Sequence, residues 1–351
     1  MYQYVMVNKW VIGFFWDKKG WNLLVMEETL IQVLQEHYGL KQPVVTYLRH
    51  NENRTYKVHD EQGGSYVLRI HQSLTQSMTG IQHTYEGLIG ELKMLEQLSH
   101  ACSIQVQSPL RNKSGEFITF IDHEGISLKC SILTWLEGRD LDKHDVTDPA
   151  NVQRLGAQLA ELHSFFKQYK HESLLSRPQQ GLPYNIQLIN TLKKGLKLDL
   201  FTVSDVAVIE KSVHLINSRL ECKGKTSDTW GLIHGDLGLG NVIVSSLGNL
   251  SFIDFGFFGP GYFLSDVAMG ASMIPSKYRH LFIEGYYGQE EHITSEDLTL
   301  VEGFMLIAII GFYAFQMDNE SFYTWMHDRM PVLCNKYCIP FLSGERIFYT
   351  V

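Results

Sequence analysis

The chain has 351 residues, 44% of them apolar and 19% charged, an ordinary globular composition with enough length for a substantial core in one large or two modest domains. Its formal charge of −8 excludes a general nucleic-acid binder, which carries a basic surface, and is compatible with a cationic ligand. Five cysteines (Cys102, Cys130, Cys222, Cys334 and Cys338) form no CxxC pair, which suits neither a zinc knuckle nor a secreted disulfide framework and fits reduced, buried thiols in a cytoplasmic protein.

Residues 1–25, "MYQYVMVNKWVIGFFWDKKGWNLLV", show no clear period and read as an accessory extension or as translated leader from a misplaced start. "WVIGFFW" (10–16) is too short to span a bilayer. So is "FMLIAIIGFYAF" (304–315), which follows Glu302 and reads as a core helix. The expectation is a soluble, cytoplasmic protein without a membrane partner.

From Met26, "MEETLIQVLQEHYGL" places Leu30, Val33, Leu34 and Tyr38 on one face and predicts a helix over about 27–38. "VVTYLRHNENRTYKVHD" and "GSYVLRIHQ" are β-branched and aromatic runs broken by the turn signals "NENR" and "DEQGG", and predict an antiparallel meander. In "YEGLIGELKMLEQLSH", Leu88, Leu92, Leu95 and Leu98 recur at helical spacing. "FITFIDHEGISLKCSILTWLEG" then supplies two or three strands around "DHEG". Beyond Asp140 the pattern turns helical, beginning with "NVQRLGAQLAELHSFFKQY" and its Leu155, Leu159, Leu162 and Phe166 stripe. Helices continue to about 220 and again over 265–345. A sheet-rich part precedes a helical part, with the boundary near "LTWLEG" (133–138).

"LIHGDLGLGNVIV" (232–244) interrupts the helices with a loop between two strand-like runs, and "LSFIDFG" (250–256) delivers a second acid into a turn. Phosphoryl transfer from a nucleotide needs such parts. A carboxylate must orient the acceptor hydroxyl and take its proton, hard oxygen ligands must hold Mg²⁺, and a braced cation must steady the phosphates. Asp236 fits the base, Asn241 and Asp254 the metal ligands, Arg69 the phosphate cation and Glu91 its brace, with Glu86 the competitor on the same helix. His163 in "AELHSF" reads as a hydrogen-bonded structural histidine. The aromatic stretch 311–328 reads as packed core rather than a cage for a cationic or apolar substrate, and "YYGQEEHITSEDL" (286–298) as a solvated acidic loop.

"HGDLGLGNVIV … FIDFG" resembles the signature of the aminoglycoside phosphotransferase and choline kinase superfamily, small-molecule kinases with a protein-kinase-like fold. "YVLRI", "GELKMLEQL", "LTWLEG", "LGAQLAELHSF" and "GPGYFLSDVA" match in the same order, so the resemblance runs from Met26 to about 275. It implies an α+β, two-lobe protein-kinase-like fold, with an antiparallel-sheet N-lobe over 26–138 and a larger, mostly helical C-lobe over 139–351. It further implies that His234 braces the catalytic loop and that Asp266 holds it through its backbone. The backbone of Thr134, Trp135 and Glu137 would receive the adenine at the hinge, and Asn53 would sit over the phosphates. ATP or GTP with Mg²⁺ would be the cofactor, and a small-molecule alcohol the partner.

Two departures from the family pattern stand out. Gly238-Leu239 replaces the His-Pro or similar pair that commonly follows "HGDL", and Arg69 replaces the more frequent lysine, though arginine forks well onto phosphate oxygens. The rival readings are a protein kinase, against which the missing GxGxxG and APE-like segments argue, and a non-catalytic scaffold with a kinase fold.

Overall fold

The computed structural model describes residues 23–50, 52–73, 80–101, 103–123, 125–288 and 292–351. Most of the 1–25 extension and Cys102 lie outside them. The first helix, α1 (Leu23–Val33), begins inside the stretch read as extension and passes through a wider turn over Leu34–Tyr38 to Gly39. Strands β1 (Val44–His50), β2 (Arg54–His59) and β3 (Ser65–Ile70) form the expected meander. Helix α2 (Tyr85–Ala101) follows, then β4 (Pro109–Leu110), β5 (Thr119–His123) and β6 (Ile126–Thr134). The long β6 carries β3 on one side, and β4 and β5 on the other, so the sheet runs β1-β2-β3-β6-β4, antiparallel throughout.

Alternation along β3 explains the layering. Leu68 and Ile70 pack towards α1 with Leu30, Leu34, Val58 and Ile132, whereas Val67 belongs to the opposite core with Leu88, Leu92 and Leu133. With a helix on each face, a strand of period two becomes an almost continuous apolar run. The charged exception, Arg69, points to the α2 side.

After the sheet come β7 (Arg139–Asp140), α3 (Pro149–Gln168), α4 (Leu182–Leu192), α5 (Lys194–Lys197) and α6 (Val203–Lys223). Asp148 caps α3 by accepting from the Ala150 amide, and Pro149 takes the first position, where its missing N–H is harmless. Four short strands then surround the candidate site: β8 (Trp230–Ile233), β9 (Val242–Val244), β10 (Leu250–Phe252) and β11 (Gly259–Tyr262). The first pairs with β11, while β9 pairs with β10 and β7. Helices α7 (Phe263–Ser272), α8 (Arg279–Tyr287), α9 (Ser295–Phe315), α10 (Tyr323–Val332) and α11 (Ile339–Leu342) complete the chain.

Among the described residues α9 is the one helix long and apolar enough to cross a membrane, and two thirds of its most apolar window is buried inside the protein. Its acid, Glu302, is 1% exposed and accepts the amides of Ile347 and Phe348, both at 2.8 Å. The carboxylate thus ties the C-terminal segment to the core helix. Cys130, Cys334 and Cys338 are buried free thiols, and burial raises all three above the ordinary thiol range. Such thiols are inert.

Candidate active site

The loop 234–241 hangs between two small sheets and is clamped from three sides. Asp266, fully buried on α7, accepts the amides of His234 (2.7 Å) and Gly235 (2.9 Å) and the His163 Nε2 (3.0 Å). The far side of His163 meets the Tyr286 hydroxyl at 2.7 Å, a hydroxyl that burial keeps protonated. His163 is therefore structural, as expected. Gly235 adopts a φ of +78° with the Phe257 carbonyl 2.7 Å from where a β-carbon would stand, so no other residue fits there.

His234 fixes the loop against the second acid. Its Nδ1 accepts from the Asp236 amide (3.3 Å), which leaves Nε2–H to donate to the Ile253 carbonyl (3.0 Å). The Ile253 amide donates to the Asn241 carbonyl at 2.9 Å. The residue before Asp254 is thus held at both ends of its backbone by the loop that carries Asp236 and Asn241.

Asn241 Nδ2 donates to the Asp236 carbonyl (2.7 Å) and to Asp236 Oδ2 (3.0 Å). Its Oδ1 is buried with no hydrogen-bond partner among the described residues. A buried amide oxygen without a donor is costly, and a hard cation is the partner that satisfies it. Asp254 sits in the left-handed region at φ 64°, ψ 62°, which aspartate tolerates better than most residues. An amide oxygen with one or two carboxylates suits Mg²⁺, which keeps water and phosphate ligands, rather than a soft metal. The residues present fit the ion.

Above this loop, Arg69 Nη1 donates to Glu91 Oε1 at 2.7 Å, and the two side chains are 7% and 2% exposed. Glu86 is exposed and plays no part, so Glu91 is the brace. The Nε and Nη2 groups of Arg69 are buried without a partner among the described residues, so two donors of one fork await an anion. His71, on the same side of the sheet, donates Nδ1–H to Asn53 Oδ1 (2.8 Å), and its Nε2 accepts from Ser131 (2.9 Å). Burial, with Arg69 nearby, holds His71 well below the ordinary histidine range and hence neutral. Asn53 is thereby brought to the Arg69 side of the β1–β2 turn.

At the segment between the two parts of the chain, the Thr134 amide donates to Ser108, its carbonyl accepts from Gln107, and the Trp135 amide donates to Ser65. These groups are spent in the sheet. The amides of Leu136 and Glu137 make no internal hydrogen bond among the described residues. Lys57 covers the Trp135 ring at 4.2 Å.

Sequence reasoning missed three residues here. Arg177, 3% exposed, donates to the carbonyls of Phe255, Gly256 and Phe258, at 3.0, 2.6 and 2.7 Å, and to Gly87 of α2 at 2.8 Å. It joins the turn after Asp254 to the helix bearing Glu91, and although burial lowers it to about 10 it stays charged. Arg49 lies 3.3 Å from Asp254 Oδ2. Tyr184 lies beside Asp236, and burial together with that charge pushes its hydroxyl up to about 12. No local pattern marks "SRPQQG", "YLRH" or "LPYN", because each matters only through what the fold sets opposite it.

The profile of the phosphotransferase enzyme family matches residues 44–299. Amicoumacin kinase of Bacillus subtilis (strain 168) is 24% identical over 245 residues, covering 69% of this chain and 67% of that protein. The structure of a microcompartment-associated aminopropanol kinase superposes with a TM-score of 0.71 at 18% identity, covering 92% of this chain and 98% of the other. Amicoumacin kinase hAmiN in complex with AMP-PNP, Ca²⁺ and Ami gives a TM-score of 0.69 at 21% identity, over 92% and 94% of the two chains. These structures share the two-lobe α+β fold.

Proposed function

The chain belongs to the phosphotransferase enzyme family, and from that premise we propose that it moves the γ-phosphate of ATP or GTP to a hydroxyl of a small molecule in the cytoplasm. The observation that carries the reading is the convergence of Asp236, Asn241 and Asp254 through the Ile253 backbone, under an arginine with two uncommitted donors.

Asp236 orients the acceptor hydroxyl and takes its proton as the oxygen attacks in line, while Asn241 Nδ2 pins one carboxylate oxygen so that the side chain cannot rotate away. Arg69, held by Glu91, donates to the phosphate oxygens as their charge shifts. Asn241 Oδ1 and Asp254 would hold Mg²⁺, which neutralises charge on the transferred group and orients it. Leu136 and Glu137 receive the base, and Asn53 covers the phosphates. On this reading residues 26–138 carry the nucleotide and 139–351 the catalytic loop and acceptor. A lack of acceptor transfer is the mark of the scaffold alternative, against which the uncommitted Arg69 and Asn241 groups argue, since a scaffold gains nothing from them.

The test is Asp236→Ala. Transfer, read as ADP release, falls at least a thousandfold, while the Kd for Mg²⁺·AMP-PNP by calorimetry stays within a few-fold of the parent. Undiminished transfer overturns the role of Asp236.

A further inference from the structure

Two charged side chains from the β1–β2 region crowd the turn that carries Asp254. Arg49 Nη2, near the end of β1, lies 3.3 Å from Asp254 Oδ2. Glu52, two residues before β2, reaches the same turn. A β-carbon on Gly256 would stand 3.2 Å from Glu52 Oε2 and 3.5 Å from Asp254 Oδ1, so the glycine leaves the room that the glutamate fills. Two carboxylates beside one glycine repel each other. Arg49 offsets Asp254, and Arg177 offsets Glu52. Burial lowers the Arg177 guanidinium, and the charges of Glu91 and Glu52 work against that burial. Because Arg177 also donates to the Gly256 carbonyl at 2.6 Å, the residue that shapes the turn draws Glu52 onto it.

The backbone on either side of this contact is fixed. His83 Nδ1 accepts from the Gly80 amide at 3.3 Å, which leaves Nε2–H to donate to the Glu52 carbonyl and to Ser73 Oγ, both at 3.2 Å. Asn53, the next residue, is tied to His71 at 2.8 Å. An incoming ligand therefore displaces the side chains of Glu52 and Arg49 and leaves their backbone in place.

We propose that Glu52 and Arg49 are placeholders, the carboxylate for a nucleotide's phosphates and the guanidinium for its metal ion, and that they select the Mg²⁺ complex of the nucleotide against the bare nucleotide. A bare triphosphate finds Asp254 already paired and meets the charge of Glu52, and in a partly buried place such repulsion is stronger than in water. The Mg²⁺ complex carries its own positive charge. It competes with Arg49 for Asp254 and presents less negative charge for Glu52 to oppose. Both residues set which form of the nucleotide enters and take no part in the transfer itself. This inference rests on the phosphotransferase reading.

The experiment is calorimetry on the full-length protein with AMP-PNP in EDTA, AMP-PNP in Mg²⁺, and adenosine. Glu52→Gln keeps the shape and removes the charge. It tightens AMP-PNP in EDTA by about five- to tenfold, tightens Mg²⁺·AMP-PNP by about twofold or less, and leaves adenosine unchanged, so the preference for the metal complex shrinks. Glu52→Ala, which also removes the contact with Gly256, repeats the pattern and covers the case in which the glutamine variant does not fold. Unchanged affinity for AMP-PNP in EDTA in both variants overturns the inference. So does weaker Mg²⁺·AMP-PNP binding, which makes Glu52 a ligand of the complex, and so does an equal gain for adenosine, which carries no phosphate. A parent protein that binds AMP-PNP in neither condition is a different failure, and removes the phosphotransferase reading along with the inference.

Discussion

Arg49 reaches Asp254 because the β1–β2 register shifts between Tyr47 and Arg49, the kind of irregularity that re-aims a side chain beside a site. Their side chains are 30% and 25% exposed, so the pair is a modest one, about 0.5–1 kcal/mol. A guanidinium and a metal ion cannot both hold the same carboxylate oxygen. Arg49→Ala is therefore expected to lower the Mg²⁺ concentration for half-saturation of AMP-PNP binding by about two- to fivefold, read by calorimetry at fixed nucleotide. An unchanged or higher requirement means that Arg49 does not compete for Asp254. Asp254→Ala acts in the opposite direction on the same titration, abolishing the metal dependence while leaving metal-free nucleotide affinity in place. "FIDFG" singles out Asp254 as a candidate from sequence, since an apolar strand there delivers an acid into a glycine-containing turn. Arg49 carries no such mark, because its role depends on a shift in pairing between two strands.

Arg177 acts at the scale of elements. Its four carbonyl partners lie on the segment after Asp254 and on α2, so one buried side chain sets Glu91 and Asp254 at a fixed separation. Gly90 makes this possible, since a β-carbon there would press on Arg177 Cδ and the Ser173 carbonyl, each at 3.1 Å. Arg177→Met removes every donor and leaves buried carbonyls without partners. A loss of about 3 kcal/mol or more follows, measured by urea unfolding, with Arg177→Lys recovering part of it. Mg²⁺·AMP-PNP affinity in the folded methionine variant is expected to fall at least tenfold, whereas a purely structural role leaves it unchanged. The helices this clamp connects were readable from leucine spacing, as Leu88, Leu92, Leu95 and Leu98 of α2 are all buried. Strand β11 was not. "GPGY" has the composition of a turn, yet it pairs with β8 as an edge strand, and the Pro260 carbonyl accepts from Gln180 at 2.8 Å.

For the molecule as a whole, one buried and one half-buried histidine give stability a pH dependence of known sign. Burial is the leading cause that lowers both His71 and His83 from the ordinary value of 6.5. Below pH about 6.5 the unfolded chain takes up protons there that the folded chain refuses, so these contributions are complete above that pH and are lost as pH falls through it. Each group contributes a slope of up to about 1.4 kcal/mol per pH unit. Unfolding free energies at pH 7, 6 and 5 are expected to decline in that order, and His71→Asn to flatten the decline. A decline of equal steepness in that variant assigns it to other groups. In the folded chain His71 stays neutral over this range and keeps Asn53 tied to β6 through Ser131.

Taken alone, the sequence determined the layering and the chemistry: alternation in "YVLRI", the leucine stripes, and the order and spacing of "HGDLGLGN" and "FIDFG" all follow from local periodicity and residue type. Those signals are local, so one chain displays them without its fold. Tertiary structure decided which groups face each other. It chose Glu91 over Glu86 by burying one and exposing the other, placed Arg177 and Arg49 against the Asp254 turn, and spent the Thr134 backbone inside the sheet. Contacts between residues a hundred positions apart leave no periodic trace in the chain, because they depend on how faces meet and not on how neighbours are spaced.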